Sequence, residues 1–122
     1  LDPGNRENGL QRKAPLARGR KKQRVRIPYD VRRRVRHRSH NRCVMCRRLF
    51  GKRLTLHHVL PQQRWPALAT MEANLIAVCW PCHDSHERAF PRLPRSCLPQ
   101  CALDLAAEVG PEAEAYLERY YA

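Results

Sequence analysis

The hydrophobic pattern of the chain is clearest in two short runs near its middle. Residues 54–62, LTLHHVLPQ, are apolar on both sides of a histidine pair, and residues 74–79, NLIAVC, form a second apolar run. Runs of this length predict two β-strands, and Gly51 before the first run predicts a hairpin. On a regular strand His57 and His58 point to opposite faces, so the first strand carries a metal-binding side chain on each face.

Helical patterns lie on both sides of these strands. Residues 28–39 begin with a proline suited to a first helical position, and one thin apolar stripe consists of Tyr29, Val31 and Val35. We expect that helix to display four basic residues outward: Arg32, Arg33, Arg36 and His37. Residues 81–90 begin a second helix with Pro81 near its first turn. The acidic stretch 96–122 is helical by pattern, and Gly110–Pro111 divides it in two.

Charge divides the chain unequally. Residues 1–53 carry 19 Lys and Arg against three acidic residues, whereas residues 54–122 carry five Arg against eight acidic residues. Basic clusters of this kind neutralise a phosphate backbone and release its counterions, which favours nucleic acid as the partner. A solvated tail or binding to anionic lipid is the alternative. No run approaches the ~18 apolar residues of a membrane span, so we expect no membrane partner.

Four of the six cysteines form two Cys-x-x-Cys pairs, Cys43 with Cys46 and Cys79 with Cys82, separated by 32 residues. Two such turns can build a tetrahedral zinc cage around a folded hairpin. Two local disulfides fit less well, because a Cys-x-x-Cys disulfide is normally a redox device. A core of about 50 residues also benefits from a structural metal. Cys97 and Cys101 are expected to be buried or free thiols.

Four histidines flank this predicted cage: His57, His58, His83 and His86. A single histidine on an apolar face is usually a core residue, and His58 alone would be read in that way. The cage, however, fixes the start of the 81–90 helix beside the first strand. His83 and a residue three or four positions later then share one helix face toward His57, which predicts a second, open metal site.

These residues together resemble the HNH endonuclease family, the ββα-metal or His-Me finger nucleases. The matching stretches cover about residues 40–90 and are CVMC (43–46), LHHVLP (56–61), ANLIAVC (73–79) and CWPCHDSHE (79–87). Phage-type members are the most similar. The resemblance implies an α+β fold, with a small ββα-metal core stapled by a four-cysteine zinc site. Together with the composition outside the matching stretches, it divides the chain into three parts: a mostly disordered basic arm at 1–27, an HNH nuclease domain with an Arg-rich leading helix at 28–95, and the acidic helical tail at 96–122.

The resemblance also implies roles for individual residues. His57 matches the first metal ligand and His58 the general base, while Asn74 matches the asparagine that holds the loop and orients the base. His83 matches the metal ligand on the helix. The third ligand is open between His86 and Glu87, because either residue can reach the metal from this helix face.

The function that follows is a metal-dependent DNA endonuclease that hydrolyses phosphodiester bonds. We expect a structural Zn²⁺ and a catalytic divalent metal, which is Mn²⁺, Ni²⁺, Co²⁺, Zn²⁺ or Mg²⁺. The predicted DNA-binding residues are Arg32, Arg33, Arg36 and Arg64. The expected location is the cytoplasm (the bacterial host's if the chain is phage-encoded), with phage packaging or other DNA-processing proteins as partners. The alternatives are a non-catalytic zinc-ribbon module that binds nucleic acid and a toxin nuclease with its own delivery arm.

Overall fold

The computed structural model describes residues 25–88 and 91–122. The predicted basic arm at 1–27 lies outside the described residues except for its last three positions. The described elements are α1 (Tyr29–Arg38), β1 (Thr55–His58), β2 (Leu75–Val78), α2 (Trp80–Glu87), α3 (Gln100–Val109) and α4 (Pro111–Tyr120). The predicted mixed fold is confirmed, with β1, β2 and α2 in ββα order. Among these residues no helix has the length and apolarity to cross a membrane.

The two strands form an antiparallel pair at the centre of the fold. Thr55 lies opposite Val78, and His58 lies opposite Leu75. All four residues of β2 are buried, which explains why this strand is continuously apolar. α1 packs against β2 and α2 packs against β1. The sheet therefore holds α2 beside the histidine pair.

The hairpin before β1 lies earlier than predicted. A backbone bridge joins Arg42 to Leu49, and the Cys43–Cys46 turn lies within it. The backbone N–H of Arg47, which has a φ of 66°, closes this turn on the Cys43 carbonyl at 2.9 Å. Gly51 instead begins a short 3-10 turn, with a φ of +59°. The cysteine turn thus reverses the chain without a glycine.

α1 differs from the prediction at two positions, one in its apolar stripe and one on its basic face. Val35 is buried as expected, but Tyr29 is 58% exposed. Arg36 is only 9% exposed, so its predicted outward position is wrong. The physical reason is that the chain turns back at the end of α1. There the backbone N–H groups of Ser39 and Asn41 donate to the Arg36 carbonyl.

Two other arginines attach α1 to the turn that precedes β2. The Arg34 guanidinium lies 2.7 Å from a carboxylate oxygen of Glu72. Arg38 donates to the backbone carbonyls of Glu72 and Leu75. Part of the basic surface of α1 is therefore used within the fold, whereas Arg32 and Arg33 remain exposed.

The C-terminal helices complete the core beneath the sheet. α3 and α4 meet at Gly110, where a φ of +128° confirms the predicted division of the tail. One apolar cluster joins the buried residues of the tail to those of the strands, and its tail members are Leu98, Ala102, Ala106, Ala113, Leu117 and Tyr121. Residues 96–122 thus share the core of the ββα unit.

Leu117 tests this shared core because its side chain is fully buried, at 0% exposure, within the common cluster. We expect Leu117→Ala to lower the free energy of unfolding by about 2–5 kcal/mol, since it removes apolar contacts and leaves a cavity. Urea denaturation followed by circular dichroism measures the change. The neighbouring exposed Glu118→Ala is the control. Equal effects of the two changes would mean that α4 does not share the core.

Candidate active site

The four paired cysteines come together in the structure. Their ligand atoms all lie within 4.8 Å of one another, and the Sγ atoms of Cys46 and Cys79 are 3.8 Å apart. A disulfide requires about 2.05 Å. A tetrahedron with Zn–S bonds of about 2.3 Å has edges of about 3.8 Å. The spacing and the donor set therefore fit a structural zinc ion.

Backbone N–H groups prepare one of these thiols for a metal. The N–H groups of Met45 and Cys46 donate to the Sγ of Cys43 at 3.3 and 3.4 Å. Burial alone would raise the pKa of Cys43, but the backbone hydrogen bonds lower it to about 7. Burial raises the pKa of Cys79 and of Cys82. A divalent cation offsets this cost, because a coordinating thiol is deprotonated.

A second cluster of ligand atoms forms between β1 and α2. It contains His57 from the strand and His83 and Glu87 from the helix, with all three ligand atoms within 4.8 Å of one another. His83 and Glu87 are four residues apart and share one helix face, where Nε2 and Oε2 are 3.6 Å apart. Two imidazoles and one carboxylate are a donor set suited to a divalent transition metal.

The hydrogen bonds of His57 determine which of its nitrogens carries the proton. Its Nε2 lies 2.9 Å from the Tyr121 hydroxyl, and that hydroxyl donates to the Val59 carbonyl at 2.9 Å. Because the hydroxyl proton is used on the carbonyl, the His57 Nε2–H must be the donor to Tyr121. Nδ1 then keeps its lone pair, the arrangement that a metal-binding histidine requires.

Burial also keeps His57 neutral. It lowers the pKa of His57 to about 3, assisted by the charges of His86, His83 and His58. The ring centroids of His83 and His86 lie 5.1 and 5.0 Å from that of His57. At neutral pH the His57 imidazole is therefore uncharged and has a lone pair to offer.

His86 forms a hydrogen bond with the backbone instead of offering a ligand atom. Its Nδ1 accepts the N–H of Leu93 at 3.0 Å, and its ring packs 4.8 Å from that of Tyr121. A neutral imidazole that accepts at Nδ1 carries its proton on Nε2 and has no lone pair left for a metal. Of the two open choices for the third ligand, this geometry favours Glu87.

His58 lies at the end of β1 and lines the same cavity as the second cluster. The cavity measures about 570 Å³, and its lining includes His57, His58, His83 and Glu87. Both histidines line it although they are consecutive residues of β1, of which His58 is the last. The His58 Nε2 lies 2.9 Å from the Ala69 carbonyl, which can only accept, so Nε2 carries the proton and Nδ1 is free to take another.

Asn74 connects β2 to the loop that follows β1. Its side chain is completely buried, at 0% exposure. Its Oδ1 accepts the Leu60 N–H at 2.8 Å, and its Nδ2 donates to the carbonyls of Leu60 and Leu68 at 3.0 and 3.2 Å. The last of these carbonyls lies one residue before Ala69, so Asn74 holds the segment that bonds His58.

The predicted DNA-binding arginines lie outside this cavity lining. Arg32 and Arg33 are exposed on α1. Arg64 is exposed after β1, with its guanidinium carbon 4.6 Å from the Trp65 ring centre and 5.7 Å from that of Tyr116. Tyr121, in contrast, is a site residue that the sequence did not reveal. It lies 64 positions from His57, and no local pattern connects the two.

Both clusters lie in one segment that matches a known family. Residues 43–88 match the model of the HNH endonuclease family. This segment contains the four-cysteine cluster, both strands and all three residues of the second cluster, so we identify it as an HNH domain. No curated protein and no solved structure matches the chain.

The cysteine cluster predicts a clear difference between two serine substitutions. Cys46→Ser removes a cluster member, so we expect loss of about one zinc per chain and unfolding of the core. Cys97→Ser, the matched control, removes a thiol outside the cluster and should keep both zinc and fold. Metal analysis and circular dichroism measure these outcomes. A folded Cys46→Ser protein with the zinc content of the parent would exclude this cluster as a zinc site.

Proposed function

We propose that this protein is a metal-dependent DNA endonuclease that hydrolyses phosphodiester bonds. The observation that carries the proposal is the position of His58, with a free Nδ1, in the same cavity as the His57–His83–Glu87 cluster. A proton acceptor beside a set of metal ligands is what hydrolysis of a phosphodiester requires. A module that only binds nucleic acid has no need of this pairing.

His58 is the proposed general base. Its Nδ1 accepts a proton from the water that attacks phosphorus, while its Nε2–H stays on the Ala69 carbonyl. That carbonyl fixes the ring and stabilises the imidazolium that forms. Imidazole suits this transfer because it exchanges protons readily near neutral pH. Asn74 supports the base indirectly, through its bonds to the Leu60 and Leu68 carbonyls.

His57, His83 and Glu87 are the proposed ligands of the catalytic metal. When bound there, a divalent ion supplies a Lewis acid that offsets negative charge on the phosphate and on the leaving oxygen. Imidazole ligands favour Mn²⁺, Co²⁺, Ni²⁺ or Zn²⁺ over Mg²⁺, which prefers oxygen ligands and keeps its waters. The Tyr121 hydroxyl orients His57 by accepting its Nε2–H.

DNA is the proposed substrate because of charge. The chain has a formal net charge of +13, and most of its basic residues lie before β1. Exposed cations near a phosphodiesterase site attract and position the phosphate backbone. Arg32, Arg33 and Arg64 are the proposed contacts within the described residues. The four cysteines hold the proposed structural zinc and take no part in the chemistry.

Alanine substitutions of the two adjacent histidines should impair cleavage in different ways. His58→Ala should keep both metals and bind DNA, yet cleave about 10²–10⁴-fold more slowly, because it lacks the general base. His57→Ala should weaken binding of the second metal and retain the zinc. Single-turnover cleavage of plasmid DNA, with metal analysis and melting temperatures, measures both variants.

The control for these variants is His37→Ala, which removes an exposed imidazole on α1 and should cleave at the parent rate. A His58→Ala protein that melts at a lower temperature but cleaves as fast as the parent would show that His58 is a core residue. A parent protein that binds DNA but never cleaves it with any of these metals would favour the zinc-ribbon alternative.

Removal of the Tyr121 hydroxyl should weaken the second metal site without affecting the zinc. In Tyr121→Phe the His57 Nε2–H loses its acceptor, so we expect metal affinity to fall by about 10- to 100-fold. Calorimetric titration with Co²⁺ measures the affinity of the zinc-loaded protein. Tyr120→Phe is the control, because the hydroxyl of Tyr120 does not contact His57. Unchanged affinity in Tyr121→Phe would show that this hydroxyl does not orient the ligand.

A further inference from the structure

The cavity that contains the proposed metal ligands has two smaller neighbours along α4. Tyr116 lines this cavity and also the two smaller ones, of about 210 and 240 Å³. Glu87 is shared by the first two cavities, and Tyr120 is shared by the two smaller ones. The three spaces therefore adjoin one another around Tyr116. We name the part beyond the metal ligands the α4 groove, lined by Arg64, Arg92, Glu112, Tyr116, Arg119 and Tyr120.

Aromatic rings and guanidinium groups lie side by side in the α4 groove. The rings of Tyr116 and Tyr120 are stacked at a tilt, with centroids 4.5 Å apart. The guanidinium carbons of Arg92 and Arg119 lie 5.3 and 5.5 Å from the Tyr120 ring centre. Arg64 lies 5.7 Å from the Tyr116 ring centre. One N–H of Arg92 donates to the Arg119 backbone carbonyl at 3.0 Å. Arginines held against rings in this way keep their other N–H groups for a second partner.

The charge in the groove is not neutralised within the fold. Within residues 25–88 and 91–122, Arg64, Arg92 and Arg119 form no ion pair with a carboxylate. Among the described residues, Glu112 is the acidic residue that lines the outer cavity, and Glu87 lines the one beside it. A groove with three arginines outside any ion pair is complementary to a chain of phosphates, and it adjoins the site proposed to act on a phosphodiester.

The tyrosine rings of the α4 groove favour unpaired DNA over duplex DNA as its ligand. A duplex presents phosphates on its outside and keeps its bases stacked within, so the tyrosines would have no partner. An unpaired strand presents both phosphates and base faces, which bind arginine and aromatic rings respectively. Resting on the proposed function, we propose that the α4 groove binds an unpaired DNA strand next to the phosphate that is cleaved.

The experiment compares single-stranded with duplex DNA of the same sequence. Fluorescence anisotropy measures the binding of the full chain without added catalytic metal. Tyr120→Leu keeps a side chain of similar size but removes the ring, so single-strand affinity should fall about 5- to 150-fold. Duplex affinity should change less than twofold. Tyr120→Phe keeps the ring and should restore single-strand binding.

Arg119→Gln provides a second measurement. If Arg119 contacts a phosphate of the single strand, the slope of log K against log salt should become less steep by about 0.7. Melting temperatures verify that each variant is folded. Unchanged single-strand affinity in Tyr120→Leu, or an equal loss on the duplex, would overturn the proposal.

The same samples separate this proposal from the proposed function. After separate additions of Mn²⁺, Co²⁺, Ni²⁺, Zn²⁺ and Mg²⁺, absence of cleavage by the parent on every substrate with every metal would overturn the endonuclease function. The single-strand and duplex affinities of Tyr120→Leu, measured before the metal is added, test the proposed role of the α4 groove independently of cleavage. If the parent cleaves DNA but Tyr120→Leu loses no single-strand affinity, the endonuclease function is supported and the proposed role of the α4 groove is contradicted.

Discussion

The 3.8 Å approach of Cys46 to Cys79 joins two distant parts of the chain, and the geometry of the site depends on it. Cys79 caps the beginning of α2, and Cys82 lies in its first turn. A zinc ion bound in this cage would therefore determine where α2 starts in relation to β1. The start of α2 in turn sets the 5.1 Å separation of the His57 and His83 rings. In a core of this size such an ion would contribute directly to folding, and through α2 it would also position the ligands of the proposed catalytic metal.

Local signals predicted the main elements well. The two apolar runs, the prolines at helix starts and the break at Gly110–Pro111 act over a few residues, and the structure has an element at each of these positions. The errors arose where longer contacts intervened. Gly51 predicted a hairpin, but the Arg42–Leu49 bridge and the hydrogen bond from the Arg47 N–H to the Cys43 carbonyl reverse the chain earlier. Arg36 fits an exposed helix face by pattern, yet the turn after α1 buries it.

The candidate site likewise contains residues that the sequence predicts and residues that it does not. The spacing of the cysteines and the resemblance were sufficient to predict that His57 and His83 lie close together. The choice between His86 and Glu87 was open in the sequence, because they follow His83 by three and four residues and either spacing can reach a metal bound by His83. It depends on a backbone N–H at Leu93, in an irregular segment that no periodicity predicts. Tyr121 has no sequence signal for a related reason: its hydroxyl contacts depend on how α4 packs, whereas the pattern of the tail indicates only acidic helices divided at Gly110–Pro111.

The bond between His57 and Tyr121 also bears on the order in which parts of the fold form during synthesis. The ββα segment is synthesised before Tyr121, and N-terminal parts of a chain begin to fold first. Until α4 has been made and has packed, the His57 Nε2–H lacks its Tyr121 acceptor, and the buried leucine and alanine positions of the tail are missing from the core. The proposed metal ligand is thus oriented later than the segment that carries it. A chain that stops before Tyr121 would carry the HNH segment without the acceptor that orients this ligand.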